Sequence, residues 1–249
     1  MKQTRIDIMG MPITIEIVGD VYEVHHAIES AFSYFESVDA RFSTYKSDSE
    51  IMYINQGLIS NLEWSVDMRE VFDLAFATTL VTDGYFSIKR EDGFIDPSGI
   101  VKGWSIQKVA RLFSTHGIKN FSIEAGGDIE TSGTNEHGEM WKIGIRNPFN
   151  TDEIIKRIQL CNAGIATSGT YIRGDHIYNP HTYKVSIEGL ASLSVIGPNA
   201  YEADRFATAA FAMGEEGIHF LESLEGFEGY AIWKDGTATL TSHFNQYVI

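Results

Sequence analysis

Two stretches of the sequence combine residue types that could bind a phosphate and a metal ion. Residues 95–104 (IDPSGIVKGW) carry a glycine-bearing turn and Lys102 ahead of an amphipathic segment. Backbone N–H groups at a helix N-terminus attract anions, and a lysine adds a point charge. Residues 203–211 (ADRFATAAF) place Asp204 and Thr208 four positions apart, on one face of a helix. Their oxygens are ligands that Mg²⁺ prefers; a solvated lysine and an aspartate–arginine pair are the alternatives at this point.

Two further stretches are rich in glycine and hydroxyl side chains. Residues 123–129 (IEAGGDI) place two glycines inside strand-like sequence, which indicates either a plain hairpin turn or a close approach of the backbone to a ligand. Residues 166–170 (ATSGT) precede His176 and an Asn-Pro turn. A serine nucleophile paired with His176 would need a third member that the sequence does not offer. We therefore interpret residues 166–182 as a ligand-facing loop, with a polar surface histidine as the alternative.

The charge balance argues against several classes of partner. The 249-residue chain has 19 basic and 34 acidic residues, a net charge of −15. Binding to a nucleic acid or to an anionic membrane relies on lysine and arginine, so neither partner is expected. No stretch approaches the roughly 20 apolar residues of a membrane-spanning helix, and the first residues do not read as a signal peptide. Cys161 is the one cysteine, which excludes an intrachain disulfide. These features predict a cytoplasmic location.

Helices and strands must position these groups. Side chains suited to capping mark the starts of four predicted helices: Asp20, Ser49, Ser65 and Asn199. A further helix is predicted at residues 103–116, directly after Lys102. Strands are predicted at about 3–18 (with a break near residue 10), 119–124, 127–132, 141–146, 155–161, 186–197, 228–233 and 236–241. Residues 163–184 are expected to be mostly loop. Hairpin-like connections predict an α+β fold, a mainly antiparallel sheet flanked by helices, in one domain over residues 1–249.

Taken in order, these motifs resemble those of the ApbE family, the FAD:protein FMN transferases. Met9-Gly10 matches the Met-Gly-Thr with which the family motifs open. Residues 42–51 (FSTYKSDSEI) match its Ser-x-Tyr and Asp-Ser-Glu-Ile stretch, and residues 82–86 (TDGYF) are similar to its Thr-x-Gly-x-Phe-Asp motif. The resemblance spans residues 9–241 and implies an ApbE-like (T-fold-like) architecture.

The resemblance also implies roles for individual residues. As ligands of Mg²⁺ it implies the side chains of Asp204 and Thr208 and the backbone carbonyl of Gly99. It makes His176 the candidate catalytic base. The residues that it places in contact with FAD are Met9, Tyr45, Tyr85, Phe86, Ser87, Asp96, Lys102 and Tyr178.

The reaction that the resemblance implies has FAD as its substrate and a protein as its acceptor. The FMN moiety passes to a threonine or serine hydroxyl of a target protein as a phosphoester, with Mg²⁺ and with release of AMP. Phosphoryl transfer depends mainly on positioning and charge neutralisation, and a histidine suits proton removal near neutral pH. Hydrolysis of FAD to FMN and AMP and non-catalytic binding of FAD are the alternatives.

The sequence departs from the family pattern at several positions. In the motif His-x-Ile-Asp-Pro-Arg-Thr-Gly, the chain has Asn179, His181 and Tyr183 in place of the aspartate, the arginine and the glycine. Ser87 replaces an aspartate, and Ala207 stands where many relatives have a second aspartate near the metal. Three of these departures, Asn179, His181 and Ala207, favour the non-catalytic alternative.

Overall fold

The computed structural model describes residues 1–19, 21–170, 177–183 and 189–249, apart from the side chains of residues 21–23. The strands are β1 (Lys2–Ile8), β2 (Met11–Ile17), β3 (Phe121–Ala125), β4 (Asp128–Ser132), β5 (Trp141–Asn147), β6 (Asn150–Leu160), β7 (Ala163–Gly169), β8 (Leu190–Gly197), β9 (Glu228–Trp233) and β10 (Ala238–Leu240). The α-helices are α1 (Val21–Phe42), α2 (Glu50–Asn55), α3 (Val66–Val81), α4 (Ser98–Thr115), α5 (Ala200–Met213) and α6 (Glu216–Glu222), and a 3₁₀ turn covers Phe244–Tyr247.

The strands form one large antiparallel sheet and one separate hairpin. The sheet has the order β1-β2-β3-β4-β7-β8-β9-β10, and β5 pairs with β6 alone. One face packs against α1, α4, α5 and α6 through apolar side chains. The other face packs against the β5–β6 hairpin, where Ile143 and Ile158 meet Ile165 and Ile196. The predicted fold class, an α+β fold with a mainly antiparallel sheet flanked by helices, is confirmed.

Three of the predicted helix caps are confirmed. The side-chain oxygens of Ser49, Ser65 and Asn199 each accept a hydrogen bond from the backbone N–H three residues later. These bonds satisfy donors that the first turn of a helix leaves unpaired. The fourth predicted cap, Asp20, lies outside the described residues.

The largest difference in the helices concerns the start of α4. This helix begins at Ser98, five residues before the predicted start, so Lys102 lies inside the second turn instead of ahead of the helix. Glycine is a poor helix former. Because of Gly99 and Gly103, residues 98–102 were predicted as a turn ahead of the helix. Tertiary packing overrides that propensity, because α4 lies against α5 and the sheet with half of its residues buried.

Two differences concern the strands. Residues 163–169, predicted as loop, form β7 between β4 and β8. Their small side chains carry little strand propensity, but cross-strand pairing on both sides outweighs it. The single strand predicted at 3–18 is a hairpin of β1 and β2, and its turn uses positive φ angles of 56° at Met9 and 70° at Gly10. Among the described residues, no helix combines the length and the apolar character needed to cross a membrane.

Candidate active site

A cavity of about 490 Å³ opens at the first turn of α4, between α5, β7, the β3–β4 turn and two loop segments, residues 85–98 and 177–183. Volumes of roughly 300–1,000 Å³ are typical of small-molecule sites. Most of the predicted site residues line this cavity: Tyr45, Tyr85, Phe86, Ser87, Asp96, Gly99, Lys102, Tyr178, Asp204 and Thr208. The fold therefore brings together segments that lie more than a hundred residues apart in the sequence.

The groups predicted to bind a metal ion lie where α4 meets α5. The hydroxyl of Thr208 donates a hydrogen bond to the carbonyl oxygen of Gly99 at 3.3 Å. The carboxylate of Asp204 is almost fully buried and accepts a 2.8 Å hydrogen bond from the N–H of Gly103. In a regular α-helix this N–H donates to the carbonyl of Gly99. Asp204 therefore competes with the Gly99 carbonyl for the N–H of Gly103. The Gly99 carbonyl is itself a predicted metal ligand.

The two helices come this close because α4 has no side chain at Gly103. A Cβ atom at this position would lie 2.6 Å from the carbonyl oxygen of Ala200 and 2.6 Å from the Cβ of Asp204. Gly99 is also tightly packed, since its Cβ would lie 3.2 Å from the Cγ2 of Thr208. The two glycines thus set the distance between the helices, and with it the distance between the predicted metal ligands.

Asp128, at the start of β4, is not itself a cavity-lining residue, but it pairs with Lys102, which is. One of its carboxylate oxygens lies 2.8 Å from the ammonium nitrogen of Lys102, and the other accepts a hydrogen bond from the N–H of Thr167 at 3.2 Å. Asp128 is fully buried, and the Lys102 side chain is only 14% exposed. Lys102 is thus a largely enclosed, ion-paired lysine, and its alternative interpretation as a solvated lysine is wrong.

Sequence reasoning did not assign Asp128 to the site, although a signal was present. The glycines before it, Gly126 and Gly127, both have positive φ angles, 58° and 95°, and form the turn between β3 and β4. Gly126 also lines the cavity. The paired glycines therefore serve as a hairpin turn and as a close approach to the cavity, and they deliver the next side chain, Asp128, to the site.

The electrostatics of this centre favour a bound cation. Burial raises the pKa of Asp204 well above its usual range, the nearby carboxylate of Asp128 raises it further, and Lys102 opposes both effects. Among the described residues, its charged neighbours are thus Asp128 and Lys102, and no arginine contributes. Two ionised carboxylates facing one lysine leave the centre with a net negative charge that a bound cation would offset. Carboxylate, hydroxyl and carbonyl oxygens suit Mg²⁺, and within the described ranges no cluster of three or more His, Cys, Asp and Glu offers a competing metal site.

Comparison with known proteins places this arrangement in a family. The model of the ApbE family matches residues 9–92 and 88–231. The chain belongs to the ApbE family.

Curated relatives of this ApbE chain are named FAD:protein FMN transferase. The one from Escherichia coli K12 is 30% identical over 166 residues, which cover 63% of this chain and 47% of that protein. The one from Haemophilus influenzae is 27% identical, and the match covers 78% of this chain and 73% of that protein. The match thus spans about half the length of the Escherichia coli relative.

Solved ApbE structures share the fold over nearly the whole chain. The flavin transferase ApbE from Vibrio cholerae superimposes with a TM-score of 0.85 at 23% identity, covering 99% of both chains. The ApbE protein from Thermotoga maritima gives 0.85 at 20% identity, also covering 99% of both chains. The ApbE-like architecture that the sequence predicted is confirmed.

The first loop segment of the ApbE cavity, residues 85–98, is held by its own hydrogen bonds. The N–H of Phe86 donates to the hydroxyl of Thr82 at 3.2 Å, and the carboxylate of Asp96 accepts from the N–H of Ser98 at 3.1 Å. The side-chain amide of Asn55 bonds both the N–H and the carbonyl of Ile95, at 2.7 and 2.9 Å. Asn55, the last residue of α2, therefore positions this loop.

The second segment, residues 177–183, contains most of the departures from the ApbE motif. The side chain of Asn179 accepts a hydrogen bond from the N–H of His181 at 2.9 Å, a bond that an aspartate would also accept. The ring of His181 lies edge-on to that of Tyr85, with their centres 4.5 Å apart. The hydroxyl of Tyr178 donates to the carbonyl of Lys89 at 3.0 Å. This segment is thus tied to the first one, and Tyr178 joins the two.

Other predicted residues stand apart from this cluster. Met9 is not among the cavity-lining residues and packs, partly buried, between two apolar clusters of the core. Tyr45 lines the cavity mouth with 98% of its surface exposed. His176 lies outside the described residues. The binding, metal-ligating and catalytic roles of all the predicted site residues, Met9 and His176 included, stay predictions. Sequence reasoning missed the lining residues Arg90, Glu91 and Ala212, and it named Tyr183 only as a departure from the family motif.

Proposed function

We propose that this chain transfers the FMN moiety of FAD to a threonine or serine hydroxyl of a target protein, with Mg²⁺, and releases AMP. The observation that carries the proposal is the buried centre of Asp128, Lys102 and Asp204, placed beside Gly99 and Thr208 at the first turn of α4 in an ApbE-family chain. The names of the curated relatives support the same reaction.

Mg²⁺ suits the oxygen groups of this centre. Asp204, Thr208 and the carbonyl of Gly99 would hold it, and the nearby carboxylate of Asp128 would add negative charge to the centre. Bound there, the ion would offset the negative charge of the FAD pyrophosphate, which a chain of net charge −15 otherwise repels. The raised pKa of Asp204 agrees with this role, because a cation favours the ionised carboxylate that burial disfavours.

The chain's own groups then position the pyrophosphate. The N–H groups in the first turn of the 18-residue helix α4 attract an anion, and Lys102 adds a positive charge one turn further on. The ion pair with Asp128 holds the Lys102 ammonium group in place before the substrate arrives. In the reaction, the bond between the FMN phosphorus and the bridging oxygen breaks, and a bond from that phosphorus to the acceptor oxygen forms. AMP leaves with the bridging oxygen.

We propose that His176 is the general base that removes the proton of the acceptor hydroxyl. A general base typically contributes 10²–10⁴-fold to a rate, so His176→Asn is expected to slow transfer by roughly that factor while FAD still binds. Since the neutral imidazole is the active form, transfer by the unchanged protein should rise with pH through about 6.5. A flat profile from about pH 5.5 to 8, or loss of FAD affinity with an unchanged rate at saturation, would contradict this role.

The test of the function is a transfer assay with product analysis. The protein is incubated with FAD, Mg²⁺ and a candidate acceptor domain, and the acceptor is analysed by mass spectrometry while AMP is quantified. Transfer predicts one FMN added to a serine or threonine for each AMP released, and chelation of the metal should stop both. AMP with free FMN alone would show hydrolysis, and bound FAD without AMP would show non-catalytic binding. A parallel reaction without acceptor measures the hydrolytic background.

Two expectations from the sequence also remain proposals. The first is that residues 1–249 form a single domain, which limited proteolysis would test through the absence of stable smaller fragments. The second is a cytoplasmic location, which fractionation of cells that produce the protein natively would test. The identity of the acceptor protein follows from the same cells, by searching for proteins that carry covalent FMN.

A further inference from the structure

Tyr183 lines the cavity in a backbone conformation that tyrosine rarely adopts. Its φ angle is 54°, in the left-handed region that favours glycine and, to a lesser degree, asparagine. A turn closed by Asn179 holds it there, because the N–H of Tyr183 donates to the carbonyl of Asn179 at 2.7 Å. A residue kept in such a conformation often serves a site, since the surrounding structure must compensate for the strain.

The ring of Tyr183 has a fixed partner. It is nearly parallel to the ring of Tyr178, with an angle of 20° between the planes and 6.3 Å between the centres, an offset stack. Tyr178 is itself held in place by the hydrogen bond that its hydroxyl donates to the carbonyl of Lys89. Burial raises the pKa of Tyr178, so its hydroxyl stays protonated and keeps this bond at neutral pH.

The outer ring of this pair remains accessible to a ligand. Tyr183 is 47% exposed, and both rings line the cavity that holds Asp204 and Lys102. A flat, half-exposed aromatic face at the edge of a charged cavity suits a ligand that combines a planar ring with phosphates. Base–aromatic stacking depends on the π-face of the ring and little on its substituents.

We propose that Tyr183, supported by Tyr178, stacks against a planar heteroaromatic ring of the bound ligand and so determines how tightly that ring is held. The inference rests on the proposed function, because FAD supplies two such rings, the isoalloxazine and the adenine. Tyr183 is on this view a binding residue specific to this chain, in a turn whose backbone alone would prefer glycine.

The experiment compares three substitutions that separate the ring from the backbone. Tyr183→Phe keeps the ring, whereas Tyr183→Asn and Tyr183→Gly remove it and suit the positive φ angle. Affinity for FAD in the presence of Mg²⁺ is measured by flavin fluorescence. We expect Tyr183→Phe to bind within about twofold of the unchanged protein, and the other two variants to bind about 5- to 100-fold more weakly, the range seen when a stacked aromatic residue is removed. Tyr53→Ala, which removes a tyrosine of α2 that does not line the cavity, is the control with unchanged affinity.

Separate titrations with FMN and with ADP identify the ring. Weaker FMN binding by Tyr183→Asn with unchanged ADP binding assigns the isoalloxazine, and the reverse assigns the adenine. If Tyr183→Asn and Tyr183→Gly melt no lower than the unchanged protein and bind FAD equally well or more tightly, the inference is wrong and the ring merely occupies the cavity. The proposed function has its own test: it is wrong if the unchanged protein binds no FAD or releases no AMP. If the unchanged protein binds no FAD, the inference about Tyr183 is wrong as well.

Discussion

The two sides of the cavity differ in the chemical groups that they present and in how far those groups are buried. One side, the helix wall, consists of α4, α5, β7 and the β3–β4 turn, and it holds Lys102, Asp204 and, directly after the turn, Asp128 largely away from solvent. The other side, the loop wall, consists of residues 85–98 and 177–183 and presents largely aromatic and polar groups, many of them part-exposed. The helix wall holds charge in place, while the loop wall offers rings and backbone to the rest of the ligand.

The difference has energetic consequences. A buried charge is costly unless partners compensate for it, and on the helix wall those partners lie on neighbouring elements: the N–H of Gly103 for Asp204, and Lys102 for Asp128. On the loop wall, polar side chains bond nearby backbone groups, as Ser87 does with Lys89. Substitutions in the helix wall should therefore change catalysis, pH dependence and stability, whereas those in the loop wall should mainly change ligand affinity.

The largest effect is expected for Asp204→Asn. The amide oxygen can still accept the hydrogen bond from Gly103, so the fold and the melting temperature should be preserved, but the charge that holds a cation is lost. Because metal stabilisation of phosphoryl transfer amounts to several kcal/mol, the rate of FMN transfer should fall roughly 10³-fold. The measurement is the mass-spectrometric transfer assay at limiting Mg²⁺, together with thermal denaturation.

Asp73→Asn is the matched control for this substitution. Asp73 is exposed on α3, so neutralising it changes the net charge equally without touching the cavity. Its rate should match that of the unchanged protein. Retention of more than about a tenth of the activity by Asp204→Asn would contradict the assignment of this carboxylate to the metal, because a tenfold loss corresponds to only about 1.4 kcal/mol.

Part of the helix wall could be predicted from the sequence, because the spacing of residues within one helix determines which side chains share a face. Asp204 and Thr208 share a face by helical periodicity alone, and the cap at Asn199 fixes where their helix begins. The pairing of Asp128 with Lys102 could not be predicted, because it depends on how β4 lies against α4. β7 was missed for a similar reason: its small residues form a strand only because β4 and β8 pair with it.

A second carboxylate of β4 gives the next largest effect. Glu130 is buried and accepts a short hydrogen bond from the N–H of Ala200 at the start of α5. Burial raises its pKa from 4.5 to about 7, although the Ala200 bond and Arg111 oppose the shift. The folded state thus binds this proton more tightly than the unfolded state does. The contribution of Glu130 to stability should decline as pH rises from about 4.5 to about 7, by about 3 kcal/mol.

Glu130→Gln should remove this decline. The glutamine carbonyl can still accept from Ala200 but carries no charge, so the variant should gain stability relative to the unchanged protein as pH rises. Urea unfolding at pH 5 and pH 8 measures the difference. Glu225→Gln, at an exposed position, should leave the pH dependence as it is. A Glu130→Gln variant with the same pH dependence as the unchanged protein would show that this carboxylate does not titrate in the folded state.

The smallest of these effects, and the one that tests the helix contact itself, is expected for Gly103→Ala. Alanine is the better helix former by about 1 kcal/mol, so propensity alone predicts stabilisation. The added Cβ would lie 2.6 Å from the backbone oxygen of Ala200, which forces α4 and α5 apart, and overpacking of this kind costs about 1–3 kcal/mol. We expect a net loss of about 1 kcal/mol in urea unfolding, with reduced FMN transfer because Gly99 and Thr208 separate. Ser114→Ala, on an exposed face of the same helix, should change stability by less than about 0.5 kcal/mol. A gain in stability with full activity would show that the contact at Gly103 does not set the geometry of the helix wall.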